Sequence, residues 1–161
     1  MLEVRYVFEH SLRGERGRQL LRYLLQRGAD EFSITVMALQ DVPAPFADAF
    51  EDELARYERA AARRRVISGA DAHDLAHSVR LWAYNEESLE RLLSFVDRSL
   101  FHWPAGPDGW LEDLTVYRRG ELLLGLVSHE REGVLRLTPQ ELAEVAALGI
   151  PFETTAERIG Y

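Results

Sequence analysis

The chain opens on a period-two pattern. Val4, Tyr6 and Phe8 are separated by Arg5 and Val7, as in a half-buried strand. After a polar, glycine-containing turn at 11–17, Leu20, Leu21, Leu24 and Leu25 recur at helical spacing, and Gly28 ends the run. Phe32, Ile34, Val36 and Ala38 then alternate again. The pattern predicts strand–helix–strand, with a crossover long enough to join a parallel pair.

Val42-Pro43-Ala44-Pro45 breaks this unit. Beyond it, Phe46, Phe50, Leu54, Tyr57 and Ala61 fall on one face of a helix. Asp48, Glu51, Asp52 and Glu53 lie early in that stretch, and Arg56, Arg59, Arg63, Arg64 and Arg65 lie late. This order complements a helix macrodipole. Val66-Ile67 reads as a short strand, 68–77 as a loop, and Val79, Leu81 and Ala83 as a further strand. Asn85 is placed to cap a helix carrying Leu89, Leu92, Leu93 and Val96.

A loop rich in proline, glycine and aromatic residues follows at 101–110. From Leu114 the pattern is a meander: strands at 114–117, 121–128 and 134–137, with turns at 118–120 and 130–133. Thr138-Pro139-Gln140-Glu141 is a capping box with proline at the first helical position, Leu137 and Leu142 fit a hydrophobic staple, and Gly149 and Pro151 end the helix. The chain is thus expected to form one α+β domain over 1–161, a mixed β-sheet with helices mainly on one face and a C-terminal β-meander plus short helix.

Composition narrows the chemistry. There is no cysteine and no lysine, and all 19 basic residues are arginine. Thiolate nucleophiles, thiolate-bound metals and Schiff-base lysines are therefore excluded. The net charge of −8 disfavours nucleic acid and suits a basic protein partner. No apolar run approaches the roughly 20 residues that span a bilayer. The first residues alternate like a strand and not like a signal peptide, so no membrane association and a cytoplasmic location are expected.

Candidate sites are few. His73 and His77, four apart around Asp74, would share a helix face and suit a metal-dependent hydrolase, with Asp71 as a local further ligand, although a strand follows them and no strong third ligand does. Ser128-His129-Glu130 has the residue types of a triad, but adjacent residues do not converge and no nucleophile elbow exists. Glu9-His10 and His129-Glu130 sit at strand ends that would form an acid–base cluster only if those ends met. Arg5 and Arg80 occupy matching places in the two strand–helix units and suggest an anion site or ordinary ion pairs. The aromatic loop offers Trp103 and Trp110 as rigid anchors, with Glu112, Asp113 and Glu130 as an acidic rim.

The segment from Glu112 to Gly120, with Gly125 and the run Ser128 to Glu132, resembles a hairpin in small uncharacterised bacterial proteins, some of which are similar to immunity proteins of contact-dependent toxin systems. The resemblance covers 112–132 and implies a cytoplasmic binding protein without assigning functional residues. The leading expectation is a non-catalytic protein-binding module, immunity- or antitoxin-like, that occludes a basic partner through Trp103, Trp110, Glu112, Asp113 and Glu130, with no cofactor. The alternatives are a metal-dependent hydrolase using His73 and His77, and a structural subunit of a larger assembly.

Overall fold

The structure is a computed structural model and describes residues 1–38, 45–68, 73–103, 105–106 and 109–154. Strand β1 (Glu3–Phe8) leads into α1 (Glu15–Gln26) and β2 (Glu31–Ala38). Helix α2 (Pro45–Leu54) precedes a long hairpin, β3 (Glu58–Ser68) and β4 (His73–Ala83), and then α3 (Glu86–Leu93). A two-residue β5 (Ala105–Gly106) opens the meander of β6 (Gly109–Arg118), β7 (Glu121–Val127) and β8 (Glu132–Leu137), and α4 (Pro139–Ala147) follows.

Among the described residues, one sheet takes all eight strands, in the order β1-β8-β7-β6-β2-β4-β3, with β5 beside β6. Every pairing is antiparallel. The α+β architecture is as expected, but β1 and β2 are not a parallel pair. They do run in the same direction, as a helical crossover dictates. The three meander strands lie between them, and β1 pairs with β8 from Glu3↔Leu137 to Phe8↔Glu132. The outer edge of β1 is met by the chain after α4, where Tyr6 and Glu153 exchange two backbone hydrogen bonds of 2.8 Å.

The helix expected over 46–61 stops at Leu54. After one 3-10 turn (Ala55–Tyr57) the arginine-rich half becomes β3. Alanine and arginine favour helix locally, but pairing with β4 from Glu58↔Trp82 to Ser68↔His73 overrides that preference. Burial alternates along the strand: Ala62, Arg64 and Val66 are partly buried, whereas Ala61, Arg63 and Arg65 are exposed. The late arginines therefore complement no helix dipole. Instead Arg59 and Arg64 reach Glu31 on β2, at 3.3 and 2.8 Å. The loop expected at 68–77 is likewise mostly strand, and residues 69–72 lie outside the described residues.

The local signals around the other helices hold. The Asn85 side chain accepts the Ser88 N–H at 2.9 Å, and the Ser88 hydroxyl accepts the Asn85 N–H at 3.0 Å. Thr138 and Glu141 exchange the same reciprocal bonds, at 3.3 and 2.9 Å. Arg119 and Gly120 both have positive φ, 52° and 80°, as a tight turn between β6 and β7 demands.

All four helices of the described residues pack on one face of the sheet. The main core joins Leu20 and Leu24 of α1, Phe50 of α2, Leu92 of α3 and Val145 of α4 to Phe32, Trp82 and Leu135 of the sheet. The opposite face holds a smaller cluster of Ile67, Leu81, Tyr117, Leu122, Val127 and Val134. The β3–β4 hairpin supplies part of its cover by bending back across that face. Its Ile67 lies over Gly125 of β7, where an added Cβ would come within 2.6 Å of Ile67 Cγ1. The Tyr117 hydroxyl donates to the Arg65 carbonyl at 3.0 Å. Among the described residues, no helix is long and apolar enough to cross a membrane.

Candidate partner-binding site

The aromatic loop divides. Trp103 is 8% exposed and belongs to the main core, where its indole N–H donates to the Leu100 carbonyl at 2.9 Å. Phe101 is buried beside it. The expectation of Trp103 as an exposed anchor is corrected by this packing: a large aromatic whose N–H finds a backbone acceptor gains more from the core than from water. Residues 104, 107 and 108 of that loop lie outside the described residues.

Trp110 differs. It lies half-buried on β6, directly opposite Met37 of β2, which is 38% exposed. Glu112 stands opposite Thr35. Between these pairs, Leu111 and Val36 pack into the helix-covered core. Alternation along the strand therefore puts Trp110, Met37, Glu112 and Thr35 together on the helix-free face.

Just beyond, β6 bulges. Asp113 and Leu114 together face the single residue Ile34, and Asp113 takes φ of 57°. Its carboxylate accepts the Ser128 N–H at 2.7 Å, while its own N–H donates to the Ser128 hydroxyl at 2.9 Å. This double bond draws the turn Ser128–Glu130 against β6. Burial pushes the Asp113 carboxyl above its usual range against the Ser128 hydrogen bonds; neighbouring Glu112 raises it further, and His129 lowers it. Glu130 has one buried carboxylate oxygen without a hydrogen-bond partner among the described residues, and its other oxygen is 3.7 Å from His129 Nε2. Of the five residues expected to contact a partner, Trp110, Glu112, Asp113 and Glu130 thus cluster around the start of β6. Trp103 does not join them.

A cleft adjoins this cluster. β4 pairs with β2 only at Glu31↔Ala83 and Phe32↔Trp82, then diverges. The space between the strands is a cavity of ≈ 370 Å³ lined by Ser33, Thr35, His77, Ser78, Asp113 and Thr115, among others. Nothing local in the sequence marks it, because it exists only where two distant strands part.

The helix that would bring the two histidines onto one face is a strand. His73 and His77 lie on β4 and not on a helix. Four residues of strand advance the backbone about 13 Å, whereas one metal ion sits about 2 Å from each ligating nitrogen. Among the described residues, no group of three or more His, Asp or Glu side chains is placed to hold a metal. Ser128, His129 and Glu130 form a 3-10 turn in which the Ser128 hydroxyl is committed to Asp113 and His129 is exposed.

The two strand ends do meet, though not through the expected histidines. Glu9 lies between Arg13, Arg131 and His102, at 3.1, 3.3 and 3.9 Å. The Arg13 hydrogen bond holds its carboxyl below the usual range against burial, with the Arg131 and His102 charges assisting. His10 instead stacks on Phe8. Sequence reasoning missed Ser99, whose hydroxyl lies 2.9 Å from His102 Nδ1 on the side away from Glu9. A hydroxyl, an imidazole and a carboxylate in a row suggest nucleophilic catalysis, but Ser99 is 1% exposed and also accepts the Phe101 N–H. That burial closes the hydroxyl to solvent, and the row ties Glu9 to the segment that follows α3. Arg5 pairs with Glu3, while Arg80 pairs with Glu51 and Glu58 and lies over Trp82, so both are engaged within the fold.

Comparison with protein-family models, curated proteins and solved structures returns no match for this chain.

Proposed function

We propose that the protein is a non-catalytic, cytoplasmic binding module that occludes a basic protein partner with the helix-free face of its sheet around Trp110, Glu112, Asp113 and Glu130. One observation carries the reading. Among the described residues, Glu112, Asp113 and Glu130 form no ion pair with any arginine, although arginines pair with many other carboxylates of the molecule. Glu112 stands partly exposed beside the partly exposed apolar surface of Trp110 and Met37, with Asp113 next to it and Glu130 brought near by the Asp113–Ser128 bonds. Net charge of −8 would steer a cationic partner toward the module. The narrower form of the proposal, neutralisation of a basic toxin, is the one that the expected likeness of 112–132 to immunity-like proteins implies.

The test is affinity purification of the tagged chain from its native cells, in parallel with a Trp110→Ala/Glu112→Gln variant. The expected result is one stoichiometric basic protein that elutes with the wild type and is lost from the variant. An equal yield from both proteins would remove this face from the interaction.

A further inference from the structure

The edges of the cleft have a property that the surface residues around it do not. β2 is hydrogen-bonded to β6 along its length, but toward β4 its backbone has no described strand partner from Ser33 to Ala38. β4 is hydrogen-bonded to β3, and toward β2 it has none from Leu81 back to His73. Both stretches border the cavity, whose floor is the helix-free face at Ser33, Thr35, Asp113 and Thr115 and whose cover is the folded-back hairpin at Val66 and from His77 to Arg80; the edge of β2 beside it presents backbone donors and acceptors that a sheet normally satisfies. The other sheet edge is treated differently: β1 is met by Glu153.

The lining suits a polypeptide better than an apolar small molecule. Ser33 and Thr115 are buried at its floor, Thr35 and Ser78 stand at its sides, Val66 and Val79 supply apolar contact, and His77 and Arg80 of β4 also line it, Arg80 being paired with Glu51 and Glu58. The volume of ≈ 370 Å³ is at the low end for drug-sized ligands. A strand fits such a space because it needs room for a few residues and extends beyond both ends. Asp113 lines the cavity, and Glu112 stands on the same sheet face opposite Thr35. Neither has an arginine partner among the described residues.

We infer that the cleft between β2 and β4 receives an extended segment of the partner protein, which adds to the open edge of β2 as a strand and sets an arginine or lysine side chain against Asp113 and Glu112. Main-chain bonding supplies the affinity and the two carboxylates supply the choice of sequence, as in strand-addition complexes generally. The inference rests on the protein-binding reading above and adds to it the site, the conformation and the charge of the segment bound.

The experiment uses a displayed library of random 12-residue peptides selected against the full chain. The chain has no cysteine, so a single introduced thiol can be labelled alone. Enriched peptides are measured by fluorescence anisotropy against four proteins: wild type, Asp113→Asn, Thr35→Cys carrying a bulky maleimide, and Gln140→Cys carrying the same group on the distant α4. The expected result is peptides that carry arginine or lysine among alternating apolar residues. Their affinity should fall at least tenfold in Asp113→Asn and in the blocked Thr35→Cys protein, and stay unchanged in labelled Gln140→Cys. Asp113→Asn retains the side-chain oxygen that accepts the Ser128 N–H, and asparagine tolerates positive φ, so the fold is kept. Failure of the library to enrich any peptide would overturn the inference, as would enriched peptides that bind the blocked Thr35→Cys protein as well as wild type. Either failure leaves the broader reading to its own test, because a folded basic partner lost from the Trp110→Ala/Glu112→Gln variant would still establish protein binding without strand addition.

Discussion

The Tyr23 hydroxyl donates to the Glu144 carboxylate at 2.6 Å and so joins α1 to α4 across the end of the sheet. Arg27, one turn on from Tyr23, pairs with the same carboxylate. Burial and the neighbouring Glu144 push the Tyr23 phenol up to about 12, with Arg27 opposing. A raised folded value favours the protonated phenol, so its contribution to stability is complete below about pH 10 and is lost as pH rises toward 12. Tyr23→Phe should cost about 1 kcal/mol at neutral pH. Urea unfolding at pH 7 and pH 11 checks this: the gap between wild type and variant should narrow at the higher pH.

Glu141 behaves in the opposite sense. The Arg118 hydrogen bond at 2.5 Å holds its carboxyl down at about 2, with the Thr138 bonds assisting and burial opposing. A depressed folded value stabilises the protein above the ordinary value of 4.5, and that stabilisation is lost as pH falls toward 2. Discounted for solvent screening, the contribution is on the order of 1–2 kcal/mol. Glu141→Gln should lower the unfolding midpoint at pH 7, and the two proteins should converge near pH 2. A constant difference across that range would remove the charge from the explanation.

Gly125→Ala should destabilise the fold by roughly 1–3 kcal/mol, because the new methyl would meet Ile67 Cγ1 at 2.6 Å. The clash belongs to one pair, so Gly125→Ala combined with Ile67→Ala should cost less than the sum of the single substitutions. A double-mutant cycle measured by chemical denaturation reads this coupling directly. Strict additivity would mean that β3 does not lie on β7 as described.

The two tryptophans of the aromatic stretch should separate in a single comparison. Trp103→Ala removes a core side chain and should cost roughly 3–5 kcal/mol. Trp110→Ala, on the open face, should cost about 1 kcal/mol. Thermal unfolding of the two variants side by side is sufficient. Equal losses would place both rings in the core and withdraw Trp110 from the proposed site.

The sequence showed most of what is decided within a few residues. The Asn85 and Thr138 caps, the leucine stripe of α1 and the turn at Arg119-Gly120 are local devices with local signatures. It was silent where the outcome depends on distant partners. Phe46 to Ala61 satisfies helical spacing as well as any true helix here, yet β4 is available to pair with its second half, and that pairing decides. The parallel β1–β2 neighbours fail for the same reason, since a crossover sets direction but not adjacency. Trp110, Glu112 and Asp113 were legible as a group because they are contiguous on one strand, and the Asp113–Ser128 bracket adds Glu130. The cleft was not legible: Thr35, His77 and Thr115 come from three strands far apart in the chain.

The pairing of Glu3 with Leu137 sets a condition on how the molecule is made. During synthesis β1 leaves the ribosome before the other described strands, and its partner β8 is the last of them to follow. Until Leu137 emerges, Val4 and Tyr6 have no strand to join, and α1 must wait with them or collapse onto a provisional partner. The contact that closes the sheet spans nearly the whole chain, so its loop closure comes late and slowly. The sheet is therefore expected to close only once β8 has emerged, and any nascent chain stalled before β8 would display an unpaired β1 to its neighbours.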